Sequence, residues 1–172
     1  MMGAWWQEVW QTVLQEFSDL PDAAGVTRIT LRLLIAAILG GILGFEREHK
    51  GKAAGLRTHM LVALGAALFV LIPQQAGVSD ADLTRVLQGL VVGIGFLGAG
   101  TIVKGTEEGE VKGLTTAAGI WLTAAIGVAA GMGREATAVL STLLALAILY
   151  TVPKIARRFE NRASQPGRGD TR

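Results

Sequence analysis

Five apolar runs organise the chain, separated by short polar breaks. They cover about 29–45, 56–72, 86–103, 114–131 and 136–152. Each is near the roughly 17–25 residues that a membrane-spanning helix needs. The first is at the short end, and Arg32 near its start has a stem long enough to snorkel to the interface. The breaks carry turn chemistry. Pro73-Gln74-Gln75-Ala76-Gly77 is expected to end the second run, Met132-Gly133-Arg134-Glu135 to turn tightly after the fourth, and Pro153 to close the fifth. The pattern predicts an all-α integral membrane protein with a five-helix transmembrane domain over 28–153. No internal repeat is evident.

Ahead of these runs, Trp5, Trp6, Val9, Trp10, Val13, Leu14 and Phe17 recur at helical spacing, with Gln7, Glu8, Gln11, Gln15 and Glu16 mostly on other faces. Residues 1–21 therefore predict an amphipathic helix lying in the membrane interface, where indole rings prefer to sit. A helix packed on the end of the bundle fits the same spacing. The segment has neither the basic start nor the continuous apolar region of a signal peptide. The tail over 154–172 is basic, and from Asn161 its Arg, Ser, Pro and Gly content predicts partial disorder.

With five spans the two ends lie on opposite sides. One side collects Arg47, Lys50, Lys52, Arg57, Lys104, Lys112, Lys154, Arg157, Arg158, Arg162, Arg168 and Arg172, and the other only Arg28, Arg32, Arg85 and Arg134. The positive-inside rule makes the richer side cytoplasmic, with the amino terminus outside and the carboxyl terminus inside. Composition agrees: 51% of residues are hydrophobic, only 17% are charged, and the mean hydropathy is +0.44. A soluble domain carries about 25% charge. The sequence pI of 9.3 thus reflects loop bases, and no nucleic-acid partner is inferred from it. The chain has no cysteine, which excludes disulfides and thiolate chemistry.

Small residues recur four apart: Ala36, Gly40 and Gly44; Gly89 and Gly93; Gly127 and Gly131. This spacing lets helix backbones approach closely, within one bundle or across a homodimer. Gly93, Gly95, Gly98 and Gly100 fall within eight residues, which weakens a helix. A kinked or unwound third span and plain close packing both fit.

Candidate chemistry gathers in one stretch, 44–59, where Glu46, Glu48, Arg47, Lys50, Lys52, Arg57 and both histidines lie between two apolar runs. Glu46 and Glu48 are hard oxygen ligands of the kind Mg²⁺ takes. Two residues apart on a helix, however, they point about 200° apart. Glu46 and Lys50 have the spacing of a helical ion pair. Arg57, Thr58 and His59 open the second span. Arg57 can bond the carbonyls ending a neighbouring helix, pair with Glu46 or Glu48, or recognise an anionic group such as a lipid phosphate. His59 reads as a structural histidine or a pH sensor. The loop 104–113 brings Glu107, Glu108 and Glu110, with Gly105, Gly109 and Gly113 suggesting a tight hairpin. Its acids could meet the bases of the first loop or weakly bind a divalent ion. Thr115 and Thr116 begin the fourth span, to cap it or to line a polar seam with Gln88 and Thr101.

Four blocks carry a family resemblance: Gly44-Phe45-Glu46-Arg47-Glu48, Ala54-Gly55-Leu56-Arg57-Thr58-His59, Gly93-Ile94-Gly95-Phe96-Leu97-Gly98-Ala99-Gly100, and Gly113-Leu114-Thr115-Thr116-Ala117-Ala118 with Trp121. In order and spacing, across about 32–133, the chain resembles the MgtC/SapB family of bacterial inner-membrane proteins. Many members add a soluble carboxyl-terminal domain, for which this sequence has no counterpart. The resemblance implies a regulator linked to magnesium homeostasis or stress. It would act through contacts with other membrane complexes, ATP synthase being one reported target in the family.

Three classes of function fit a small polytopic membrane protein: regulator, ion transporter or channel, and enzyme. No acid, base or histidine sits near the middle of a span, where ion pathways usually carry one. A broken third span could still supply carbonyl ligands, which keeps a Mg²⁺ transporter or channel as the alternative. No nucleophile–base constellation suggests an enzyme, and no cofactor is expected. The glycine-rich run follows no strand, so it is not a dinucleotide fingerprint. The leading expectation is one polar, cytoplasm-side cluster of Glu46, Arg47, Glu48, Lys50, Arg57, Thr58, His59, Thr115 and Thr116 tying spans one to four together. Gly95, Gly98 and Gly100 would lie opposite it and, with Gly40, Gly44, Gly93 and Gly113, would serve helix packing.

Overall fold

The computed structural model describes residues 2–18, 22–104 and 111–163. Its elements are α1 (Met2–Glu16), α2 (Ala23–His49), α3 (Leu56–Gln75), α4 (Asp80–Ala99), the two-residue strands β1 (Val103–Lys104) and β2 (Val111–Lys112), α5 (Leu114–Gly131) and α6 (Glu135–Ala163). Five helices, α2 to α6, are long and apolar enough to cross a membrane. The protein is an all-α membrane protein. At about 1.5 Å per residue, the 20 residues of α3 match a hydrocarbon core of about 30 Å. The strands pair antiparallel, Val103 with Lys112 and Lys104 with Val111. The acids of that loop, Glu107, Glu108 and Glu110, lie outside the described residues, as does the tail beyond Ala163.

Helix ends differ from the hydropathy limits where polar residues still favour helix. Asp22 caps α2 by accepting from the Gly25 amide, so α2 begins well before the apolar run at 29. Ser79 does the same for α4 by accepting from the Asp82 amide. The third span therefore runs Asp80–Ala99 rather than 86–103. It stays helical through Gly93, Gly95 and Gly98 to Ala99, so it is not unwound. The 73–77 stretch ends α3 at Gln75 as expected, whereas Pro153 does not close α6. Pro73 lies inside α3, and α6 continues past Pro153 for ten residues to Ala163. A proline removes one backbone hydrogen bond, and the good helix formers after Pro153 carry the helix onward.

Alanine and glycine build the core. Ala36, Ala63, Ala67, Ala130 and Ala138 are fully buried. α3 lies between α2 and α5 and touches both closely. A Cβ added at Gly40 would lie 2.6 Å from the His59 carbonyl oxygen and 2.8 Å from Ala63 Cβ, and at Gly44 2.7 Å from Leu56 Cα. Gly127 sits against the Ala63 backbone, and at Gly131 a Cβ would lie 2.7 Å from the Ala67 carbonyl oxygen. Dispersion between close backbones, rather than water exclusion, holds such crossings in lipid.

α4 is peripheral. Only 17% of its apolar window is buried, against 44% for α5. Gly89, Gly93 and Gly95 have no atom within 4 Å of an added Cβ, and Gly98 makes only ordinary contact with Ala117. Among the described residues, then, Gly93 and Gly95 pack against no other element, contrary to expectation. α4 meets α5 through the side carrying Ile94 and Gly98, which turns the other glycines outward. α1 makes no extensive contact with any other helix, and Trp5, Trp6 and Trp10 are exposed.

Candidate functional site

The last turn of α2 supplies Glu46, Arg47 and Glu48, and a glycine ends it. Gly51 takes φ +62°, and the amides of Gly51 and Lys52 bond back to the carbonyls of Glu48 and Arg47. This Schellman closure turns the chain sharply toward α3. Lys50 becomes the cap residue, its amide bonded to the Glu46 carbonyl. No Glu46–Lys50 ion pair forms among the described residues.

The two acids face separate tasks. Glu46 Oε2 pairs with Arg47 Nε at 2.5 Å, although neighbours on a helix diverge by about 100°. Glu48 Oε2 accepts from the Leu56 amide at 2.8 Å. The N-cap of α3 is Gly55, which has no side chain to cap with, so a carboxylate eight residues upstream does it. Negative charge is favourable at that helix end. Glycine is needed there because a Cβ on Gly55 would lie 2.5 Å from the same carboxylate oxygen. No described group of three or more His, Asp or Glu residues is placed to hold a metal ion. Glu46 and Glu48 are instead engaged separately, with Arg47 and with the Leu56 amide.

Arg47 and His59 are the inward-facing pair, 4% and 0% exposed. His59 Nδ1 lies 2.9 Å from the Gly55 carbonyl oxygen, which also accepts from the His59 amide. A carbonyl only accepts, so Nδ1 carries a proton. In the neutral ring this leaves Nε2 as a bare acceptor, and Nε2 is buried without a partner among the described residues. Arg57 and Thr58, two residues and one residue before it, are exposed. Arg57 forms no ion pair among the described residues, because Glu46 is taken by Arg47 and Glu48 by the Leu56 amide.

α5 brings the threonines. Its N-cap is Gly113 at φ +95°, with no side-chain cap, so Thr115 and Thr116 stand inside the helix rather than capping it. Thr116 is buried and Thr115 lines cavities. One cavity of about 170 Å³ has Arg47, His59, Thr115, Leu43, Leu122 and Leu149 among its walls. A second, of about 480 Å³, shares Arg47, Thr115, Ile148 and Leu149 and adds Lys50, Lys52, Lys154 and Arg157. The polar groups thus meet between α2, α3, α5 and α6. The expected tie to the third span is absent from these walls: Gly95, Gly98 and Gly100 lie elsewhere, and Thr101 bonds back to the Gly98 carbonyl.

A second polar site lies at the opposite end of the bundle. Arg32 Nη1 donates to the Gly131 carbonyl at 3.0 Å and to Gln74 Oε1 at 3.4 Å, and Arg32 Nε lies 3.8 Å from Glu135 Oε1. An arginine does tie off a neighbouring helix here, as proposed for Arg57, but it is Arg32 capping α5. The free carbonyls ending α5 after Gly131-Met132-Gly133 were the available signal.

The buried arginine–histidine pair at one end and the glycine crossings define a compact polytopic bundle, and its residues match a known family. The chain belongs to the MgtC family, which it matches over residues 33–158. It is 39% identical to Protein SrpB of Synechococcus elongatus over 140 residues, covering 75% of this chain and 77% of that protein. It is 38% identical over 140 residues to the Putative magnesium transporter YhiD of Escherichia coli, covering 77% of this chain and 64% of YhiD. Protein MgtC of Brucella abortus is 42% identical over 132 residues, which span 77% of this chain but 54% of that protein. No solved structure matches the chain.

Proposed function

We propose that this protein is a regulator in the bacterial inner membrane. It would act by helix-to-helix contact with another membrane complex and serve adaptation to limiting magnesium. The observation that carries the reading is α4: a helix at the edge of the bundle whose Gly89 and Gly93, on one face, have no other element within 4 Å of an added Cβ among the described residues. Small residues on an outward helix face admit a second helix at close range. A partner complex, ATP synthase among those the family suggests, or a second copy of this chain would dock there. The magnesium link rests on family membership and on the name of YhiD. The twelve-to-four division of bases supports a cytoplasmic carboxyl terminus. The reading needs neither a catalytic step nor a cofactor.

A transporter is the competing reading, favoured by the name of YhiD, a putative magnesium transporter. Two measurements separate them. Purified protein in liposomes holding a magnesium-sensitive dye is expected to give no uptake above empty liposomes. A deletion strain at low magnesium is expected to be rescued by the wild type and not by Gly93→Leu, with both proteins present in the membrane in equal amount. Protein-dependent uptake, or full rescue by Gly93→Leu, overturns the regulatory reading.

A further inference from the structure

The two adjacent cavities that share Arg47, Thr115, Ile148 and Leu149 differ in chemistry from rim to floor. The rim carries Lys50, Lys52, Lys154 and Arg157, and no acid is among its lining residues. Lys154 Nζ is held 3.5 Å over the Tyr150 ring, which keeps that charge at the opening. Beneath the rim stand Arg47, Thr115 and His59. Arg47 gives its Nε to Glu46, and its two Nη atoms make no hydrogen bond among the described residues. Farther from the basic end the wall is apolar, with Leu122 and Ala145. The sequence along this path is therefore cation, hydrogen-bond acceptor, hydrocarbon.

We propose that the paired cavities bind an anionic lysophospholipid. Its phosphate would lie among the rim bases and the Arg47 Nη donors. Its free glycerol hydroxyl would donate to His59 Nε2, and the start of its acyl chain would enter the apolar cavity. The site is separate from the α4 face and does not depend on it. Three features select this class. Clustered bases at the end of spanning helices attract anionic headgroups. The inner cavity is small, about 170 Å³, which suits one chain. A buried acceptor without a partner costs free energy until a donor reaches it, and the glycerol hydroxyl between phosphate and chain is such a donor. Inorganic phosphate satisfies the rim alone.

The test is equilibrium binding of lipid to the full chain in maltoside micelles, read by native mass spectrometry. Palmitoyl-lysophosphatidylglycerol is compared with palmitoyl-lysophosphatidylcholine and dioleoyl-phosphatidylglycerol, with inorganic phosphate and glycerol phosphate as competitors. The anionic lysolipid is expected to bind more than tenfold tighter than the choline form. Lys50→Gln with Lys154→Gln, both exposed and harmless to folding, is expected to weaken it about 25-fold, from about fivefold per base. Arg28→Gln with Arg85→Gln, at the other end of the bundle, should leave it unchanged. His59→Phe, checked for native circular dichroism, is expected to lose about fivefold for the lysolipid and nothing for the diacyl lipid. Equal binding of choline and glycerol headgroups overturns anion recognition, as does an equal loss in both double variants. Diacyl lipid binding as tightly as the lysolipid overturns the role of His59. Displacement by inorganic phosphate or glycerol phosphate makes the ligand a soluble phosphate and overturns the lipid assignment.

Discussion

Gly40 and Gly93 have the same residue type and the same four-residue spacing to another small residue, yet opposite surroundings. A methyl group at Gly40 would lie 2.6 Å from the His59 carbonyl oxygen and 2.8 Å from Ala63 Cβ. Carbon atoms rest at about 3.5–4.0 Å, so α2 must retreat from α3 by about 1 Å, and a gap of that size forfeits a quarter to a half of each contact's attraction along the crossing. Overpacking of this kind costs about 1–3 kcal/mol. Better helix propensity returns about 1 kcal/mol, leaving a net loss of about 0–2 kcal/mol. Gly93→Ala meets no atom within 4 Å, so only the propensity gain applies. The two variants should therefore differ by about 2 kcal/mol, roughly thirtyfold in the unfolding equilibrium. Titration from maltoside into sodium dodecyl sulfate, followed by circular dichroism, measures that gap. Equal stability of Gly40→Ala and Gly93→Ala would refute the packing argument.

Three further outcomes follow from the site. Glu48→Ala should destabilise by about 1–2 kcal/mol through loss of the α3 cap. Gly55→Ala should cost a similar amount, and the double variant less than the sum, because both act on one hydrogen bond; additivity in the same titration would break the link. Arg32→Ala should cost about 2 kcal/mol by stripping the Gly131 carbonyl of a charged donor, with Arg32→Lys intermediate; an unchanged midpoint would show the cap to be idle. Gly113→Ala places a side chain at φ +95° and into the Thr101 carbonyl, so a loss of at least about 2 kcal/mol is expected. A wild-type yield and midpoint would contradict that geometry.

The membrane architecture was legible because hydropathy reports where lipid begins and ends. α5 was read to the residue at both ends, since Gly113 and the Gly131–Gly133 turn bound it. α4 was displaced because its first turns, with Asp80, Asp82 and Arg85, are helical but not apolar. The stretch 44–59 was found by its charge, but not which of its residues turn inward. A helix that is apolar all round offers no periodicity to mark a buried face, so Arg57 was favoured while Arg47 joins His59 in the interior. Glycine spacing had the same blind spot. It is alike in α2, α4 and α5, and only the packing reveals that α4 turns its glycines away.

The bonds around Gly55 span at most eight residues: Glu48 to the Leu56 amide, and His59 to the Gly55 carbonyl. They need nothing that follows in the chain. During synthesis, α2 and α3 can enter the bilayer as one hairpin with these groups already partnered, before α5 has left the ribosome. His59 Nε2 belongs to a later stage, because the cavity it lines has walls from α5 and α6. One imidazole thus has one nitrogen partnered early in biosynthesis and the other walled in only when the last helix arrives.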